Sequence, residues 1–466
     1  MKRFQRAVCS TLFGLLLLWA GPSSSQPNIV FSVSGDQTLI YPASIHYLPD
    51  EHTTIIPAAG AASARPAGGQ PGVHYFFVAM SNKVGNAQYG DAFVLQSSDF
   101  RHFVFPPGFG NARHGSAVFW PAHPAGGSCA YTGVTHFDEQ YAAPGSVVQD
   151  PPLPPGHLIM IYEAEIHCPP SSKGMVSGWV SIGVTRSADG GRTWPPPVAR
   201  KRFERDWLEY GNGRYAGLTL PGTPPRTTTN EFFGNVLPSA FVDDRDASGE
   251  YYIYVPYQFT GAPGAKADAR IHMARARLGD RLGHRETGQL HFTKWHNGGW
   301  TQEGRGGLED GVSPPCGASY GEGNAQIVYN DALQRYMMTF VCTTYRCASA
   351  ANCEATEDAL YFSTATSLAV QDWTPAQRIE NSTYPHVAQP NGGSIMDGGY
   401  PSFVSPGCKE GHLGLSGSVF LLKGNPLGER RFVSRSFTIR PNAPVAQRAA
   451  ALANGCAATR PIGGES

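Results

Sequence analysis

Five carboxylates stand where short strands could bring them together. Glu322 lies between Gly321 and Gly323, Glu163 and Glu165 follow an apolar run, Asp36 follows Gly35, and Asp397 precedes Gly398 and Gly399. Paired carboxyls cleave glycosidic bonds, one protonated to serve the leaving oxygen and one ionised as nucleophile or base. Glycines flanking Glu322 would let a sugar approach the backbone closely, which makes Glu322 the expected general acid. Each of the other four is a candidate partner, and Glu163 and Glu165, two apart, would point to one side of an extended segment. The bland readings are that an Asp beside Gly builds a turn and that two such Glu line a solvated strand end. Arg113, His114, Asn235 and Gln258 are candidates for holding a substrate, and Trp207, Tyr210, Trp295 and Trp300 offer faces on which a sugar could stack.

Elements able to position these groups follow from composition and repetition. Gly 55, Pro 38 and 11% aromatic residues describe many short strands joined by turns. Three strand types recur. Small-residue-led apolar strands are expected at Pro42–Tyr47, Gly115–Trp120, Pro238–Val242, Asn324–Tyr329 and Pro401–Ser405. Second strands are expected at His74–Ala79, His157–Tyr162, Tyr251–Tyr257, Arg335–Val341 and Leu413–Ser416, and third strands at Ala92–Gln96, Trp179–Thr185, Arg270–Ala276, Ala359–Ser363 and Ser418–Leu422. Five such triples predict an all-β, five-bladed β-propeller, with six blades as the alternative. Arg431–Ile439 is expected to pair with Ile29–Val33 and close the ring. In such a ring, residues just before the first strand and just after the second converge on one central depression. That filter selects the five carboxylates together with Asn111, Arg113, His114, Asn235, His167, Gln258 and Thr343.

Lys plus Arg and Asp plus Glu both number 36, so neither nucleic acid nor an anionic membrane is favoured, and a neutral carbohydrate fits better. Lys2, Arg3 and Arg6 precede an apolar run from Ala7 to Ala20 and then small residues, the pattern of a secretory signal over 1–25. A propeller over 26–440 and an Ala/Pro-rich tail over 441–466 complete the expected organisation, with no membrane span after cleavage and a monomeric state. Losing Cys9 with the signal leaves an even set, Cys129, Cys168, Cys316, Cys342, Cys347, Cys353, Cys408 and Cys456, which suggests disulfides in a secreted or periplasmic protein. Cys342, Cys347 and Cys353 lack the CxxC spacing of a metal site; no cofactor is expected, and a structural ion at the propeller axis stays open. Asn381, Ser382 and Thr383 form a glycosylation sequon that matters only in a eukaryotic host.

Ser187, Asp189, Gly191, Thr193 and Trp194 spell SxDxGxTW, which resembles the Asp box (BNR repeat) of sialidases and related propellers. The resemblance implies a structural brace on a blade rim: the Asp binds turn N–H groups, Gly191 takes positive φ, and the Trp covers the turn. Ser97 through Phe103 and Ser363 through Trp373 look like decayed copies. His291 to Gly304, with the strand openings, is similar to the five-bladed arabinanase and fructosidase type of glycosidase, which carries an Asp at the start of the first inner strand and a Glu, often followed by Gly, at the fourth. Glu322 and Gly323 match the second position, whereas Tyr41 stands before Pro42 where an Asp is expected.

A sialidase needs an arginine cluster and a Tyr with a nearby Glu, but no Arg-Ile-Pro opens the first blade, and Arg113 and Arg214 do not restore a triad around Tyr210, Tyr215 or Tyr400. The expectation is therefore a secreted glycoside hydrolase acting on a poly- or oligosaccharide. Its alternatives are a non-catalytic glycan-binding propeller, an exo-sialidase and a protein-binding scaffold.

Overall fold

The computed structural model describes residues 29–42, 49–57, 72–84, 87–110, 116–121, 137–138, 141–151, 153–167, 178–195, 213–220, 232–261, 268–286, 288–317, 320–349, 352–385, 387–388, 394–395, 398–424, 430–441 and 456. Every regular element among them is a strand, and the fold is an all-β propeller. The strands form successive antiparallel meanders. The first runs Thr54–Pro57, His74–Val84, Ala87–Ser97, and the second Tyr141–Gln149, Leu158–His167, Gly178–Ser187, Tyr215–Leu218. A third runs Phe241–Asp243, Glu250–Phe259, Asp268–Asp280, Phe292–His296, Gly299–Glu303, and a fourth Tyr320–Asn330, Arg335–Ser349, Asn352–Ala365, Gln377–Pro385. The last runs Ser402–Val404, Ser416–Gly424, Arg430–Arg440 and takes its outer strand, Val30–Thr38, from the other end of the chain.

Each meander is apolar on both faces because it is packed between two others. Along Leu158–His167, Leu158, Met160, Tyr162 and Ala164 pack toward the first meander, while Ile159 and Ile161 pack toward the third. The core is thus a cycle of interfaces. Phe77 and Met160 share one, Ile161 and Val255 the next, Met273 and Phe340 a third, Met337 and Leu421 a fourth, and Phe76 with Phe420 returns to the first meander.

The innermost strands repeat this cycle in hydrogen bonds. Val147 N–H donates to Thr54 Oγ1 (2.8 Å), Ala240 N–H to Ser146 Oγ (2.9 Å), and Ser239 Oγ–H to the Ala325 carbonyl (2.6 Å). Phe403 N–H then donates to Gln326 Oε1 (2.7 Å), and Thr53 N–H to Ser402 Oγ (2.9 Å), which brings the path back to its start. A small or polar residue on each first strand is required because the strands crowd at the axis. A Cβ on Gly145 would lie 2.1 Å from the Pro238 carbonyl oxygen, so only glycine fits there.

Most expected second and third strands lie where the sequence puts them, but three placements differ. The first meander opens at Thr54–Pro57 rather than at Pro42–Tyr47, whose residues 43–48 are outside the described set. Ala117–Phe119 pairs with the third strand of the first meander, and the second meander opens instead at Tyr141–Gln149. There Pro144 and Gly145 mark a bulge that looks like a loop in sequence. In the last meander the strand expected as third is the second, because the fourth place is filled by Val30–Thr38. Its pairing with Arg430–Arg440 sets Phe31 against Ile439 and Val33 against Phe437.

In the first four meanders the turn after the third strand is held by one acidic residue. At Asp189, Oδ1 accepts from Thr193 N–H (3.0 Å) and Ser187 Oγ–H (2.7 Å), Oδ2 accepts from Thr193 Oγ1–H (2.5 Å), and Trp194 Nε1–H donates to the Gly191 carbonyl (3.0 Å). Gly191 has φ +83°, and Trp194 is buried. Asp99 and Asp372 hold the turns of the first and fourth meanders in the same manner. Asp280, accepting from Leu282 and His284 N–H, does so in the third, a copy the sequence did not disclose.

Candidate active site

The site is built from residues at one end of the first strands. Asp50, Glu51 and His52 lead into Thr54–Pro57; Tyr141 opens Tyr141–Gln149 and stands in register with Glu165, as Ala143 does with Glu163. Glu163 and Glu165, both pointing to one side of their strand, hydrogen-bond each other, and Glu163 also hydrogen-bonds Glu51. Leu237 N–H, from the segment leading into the third meander, donates to Glu163 Oε2. Tyr141 Oη–H donates to Asp50 Oδ2 (2.8 Å). Three meanders therefore meet at one carboxyl cluster whose members are all buried.

Burial and crowding raise the pKa of the three glutamates of this cluster. Burial lifts Glu51 and Glu163 well above the usual carboxylate range, and the neighbouring carboxyls add to the rise. Glu165 is pushed up to about 7, first by burial and then by the charge of Asp50, while its hydrogen bond with Glu163 works in the opposite direction. Tyr141 is raised by burial and by the four surrounding carboxylates, so its phenol stays protonated. His52 is lowered to about 4 by burial and is a neutral imidazole, with Nδ1 3.2 Å from the Pro401 carbonyl oxygen and its ring edge on Tyr400.

Glu322, at the start of Tyr320–Asn330, is buried across the ring from that cluster in strand order. Its two oxygens face donors from a single loop: Ser313 Oγ–H donates to Oε2 and Cys316 N–H to Oε1 (3.2 Å). Burial raises its pKa, opposed by these two bonds and by the Arg270 charge. Gly323, next to it, lets the Gln258 amide lie against the backbone, since a Cβ there would be 2.9 Å from Gln258 Oε1. Asn324, at φ +52°, accepts from Tyr400 N–H (3.2 Å) and so links this corner to the last meander.

Of the residues expected from sequence, the structure brings Glu163 and Glu165 into the cluster and places Asn235, Gln258 and Glu322 on the adjoining strands. Asn235 is fully buried, and neither atom of its side-chain amide has a hydrogen-bond partner among the described residues. Asp36 requires correction: it sits on the outer strand Val30–Thr38, paired with Arg435 (2.5 Å) and Lys423, and clasps the closing strand instead of reaching the axis. Trp295 also differs. It lies on the outer strand Phe292–His296, edge-on to Trp300 at 5.1 Å, and both rings pack between the third and fourth meanders. Trp300 Nε1–H donates to the Ala369 carbonyl (2.8 Å), Arg275 packs over the Trp300 ring, and both rings are half-buried. Asp397, Arg113, His114, Trp207 and Tyr210 lie outside the described residues.

Asp50, Glu51, His52 and Tyr141 escaped the sequence reading. The signal was there: two carboxylates and a histidine directly precede Thr54–Pro57, so placing the first inner strand one step later would have selected them. Among the described residues no group of three or more His, Cys, Asp or Glu side chains is arranged to hold a metal ion. No helix among them is long and apolar enough to cross a membrane.

No protein-family model matches the chain, and no curated protein sequence matches it. Among solved structures, it is similar to the catalytic domain of an alpha-L-arabinofuranosidase from Coprinopsis cinerea, with 10% identity over 88% of this chain and 97% of that one and a TM-score of 0.40. An N-acetylgalactosamine deacetylase from F. plautii, in complex with blood group B trisaccharide, gives 12% identity over 89% and 96% of the two chains, again at 0.40. An exo-beta-1,3-galactanase from Phanerochaete chrysosporium gives 12% identity over 89% of this chain and 66% of that chain, at 0.37.

Proposed function

We propose that this protein is an exported, monomeric glycoside hydrolase that cleaves a poly- or oligosaccharide at the axial end of its ring, with each of the five meanders acting as one blade. The observation that carries the reading is that Glu51, Glu163 and Glu165 are all buried at the inner ends of the first two meanders, with Glu163 hydrogen-bonded to the other two. Glycosidic cleavage needs one carboxyl that still holds a proton at working pH and a second that is ionised. Glu165, at about 7, suits the donor. We assign Glu322 as the ionised partner because, although burial raises its pKa, donors aimed at both of its oxygens oppose the rise. These roles exchange the one expected for Glu322 from sequence, where its glycine flanks alone suggested the acid.

In this reading the donor protonates the leaving glycosidic oxygen while Glu322 acts on the opposite side of the sugar ring, directly or through a water. The described members of the cluster are four acidic side chains, a tyrosine and a histidine, with no arginine among them to hold a sugar carboxylate, which makes an exo-sialidase the less favoured alternative. Arg214 supports the same choice, because it is spent in a buried ion pair with Asp138 (3.1 Å) and packs over Phe119.

A polysaccharide-release screen with the intact protein beside Glu165→Gln tests the proposal. The variant is expected to lose on the order of 10²–10⁴ in kcat on a natural linkage and far less on an aryl glycoside whose leaving group needs no proton. Equal rates for the two proteins would remove Glu165 from the mechanism. Sugar binding with no turnover by the intact protein would favour the glycan-binding alternative.

A further inference from the structure

The loop before Tyr320–Asn330 is fastened at both ends around one carboxylate. Val312 N–H donates to the Ile271 carbonyl (2.7 Å), Ile271 N–H donates to Ser313 Oγ (2.9 Å), and Arg270 Nε donates to the Ser313 carbonyl (2.9 Å). Because Ser313 Oγ accepts from Ile271, its own proton is directed at Glu322 Oε2. Three residues later Cys316 donates its N–H to Glu322 Oε1 and forms a disulfide with Cys342. Cys342 is the residue directly opposite Glu322 in the strand pairing and is fully buried. Between the two fastenings stand Pro314 and Pro315, which have no N–H to contribute.

We propose that the Cys316–Cys342 disulfide is a positioning element for Glu322, holding the Cys316 N–H on the carboxylate and so setting its orientation and charge. This rests on the reading of Glu322 as the ionised partner in hydrolysis. Without the bond, Ser313 remains fixed by Ile271 and Arg270, but the Cys316 end of the loop loses its covalent tie to the strand that faces Glu322. Glu322 then keeps the donor at Oε2 and loses the one at Oε1. A hydrogen bond to the charged form lowers a carboxyl pKa, so its loss moves Glu322 upward. A dithiol reductant would produce the same state: it supplies two electrons, the S–S bond breaks, each sulfur takes a proton, and the reductant's two sulfurs join.

The test is the double variant Cys316→Ser/Cys342→Ser, with Cys408→Ser/Cys456→Ser as the control for losing a disulfide elsewhere. Difference infrared spectroscopy against Glu322→Gln reads the Glu322 carboxyl directly. In the first variant its titration is expected at higher pH, the acid limb of the rate profile moves with it, and kcat falls roughly ten- to a hundredfold while KM changes by less than about twofold. The control should show none of these. Should the double variant fail to fold, the intact protein reduced with dithiothreitol, with circular dichroism confirming retained strand content, gives the same reading. A folded protein lacking the bond in which Glu322 titrates as before overturns the proposal. If Glu322→Gln keeps full activity, the hydrolytic role of Glu322 falls, while the infrared titration still decides whether the disulfide governs its charge.

Discussion

A carboxyl that gives up a proton during catalysis works best with a pKa near the operating pH, and Glu165 reaches that value through where it is buried. Its pKa of about 7 means that the protonated form dominates below neutrality and is lost as pH rises through 7. The rate on a natural linkage should therefore decline above about pH 7, and Glu165→Gln should abolish that limb; a limb that persists in the variant belongs to another group. Stability follows the same sign. A raised folded-state pKa means that the native protein binds more protons than the unfolded chain, so the contribution of Glu165 is fully present below its unfolded pKa and is lost between there and about 7. Glu51 and Glu163 add to that trend. Urea midpoints should fall between pH 5 and pH 8, and Glu163→Gln should flatten the fall.

The strand-to-strand junctions explain which parts of the structure could be read from residues alone. Asp189 makes its turn from neighbours at most four positions away, and such local chemistry is visible in any sequence. Asp189→Ala should cost about 1–2 kcal/mol in urea unfolding and leave kcat unchanged, because the turn follows a third strand, away from the inner ends where the carboxyls lie. Gly145 has the opposite character. Its need for glycine comes from Pro238, ninety-three positions away and on the next meander, so the sequence shows only a Pro-Gly pair that looks like a loop. Gly145→Ala is expected to destabilise by about 2–3 kcal/mol, measured the same way. Missing that strand, and starting the first meander too early, displaced the first-meander candidate from Asp50 and Glu51 to Asp36. Glu163, Glu165 and Glu322 were legible because their strands carry long apolar runs, while the contact of Glu163 with Glu51 spans more than a hundred residues and has no local trace.

For the molecule as a whole, the ring is only as strong as its junctions, and these differ in kind. Four meander interfaces join segments that follow one another along the chain, whereas the fifth, in which Phe76 packs on Phe420, joins the start of the chain to its end. That last meander is itself a composite of both ends, fastened by Asp36 with Arg435 and Lys423. Deleting residues 30–38 should remove the outer strand of that meander, expose the edge of Arg430–Arg440, and lower the melting temperature far more than a point change. Light scattering should then show self-association through the new edge.

The pairing of Val30–Thr38 with Arg430–Arg440 also bears on how the protein comes into being. A ribosome delivers the first of these strands roughly four hundred residues before the second, so the early strand must wait for this partner. Local meanders can form as they emerge, but the final junction cannot. The ring closes only after Arg430–Arg440 has emerged, and a product terminated before that strand leaves Val30–Thr38 without it. Synthesis through residue 440 is thus written into the topology, and copies truncated before it present to proteases and chaperones the edges that the closed ring hides.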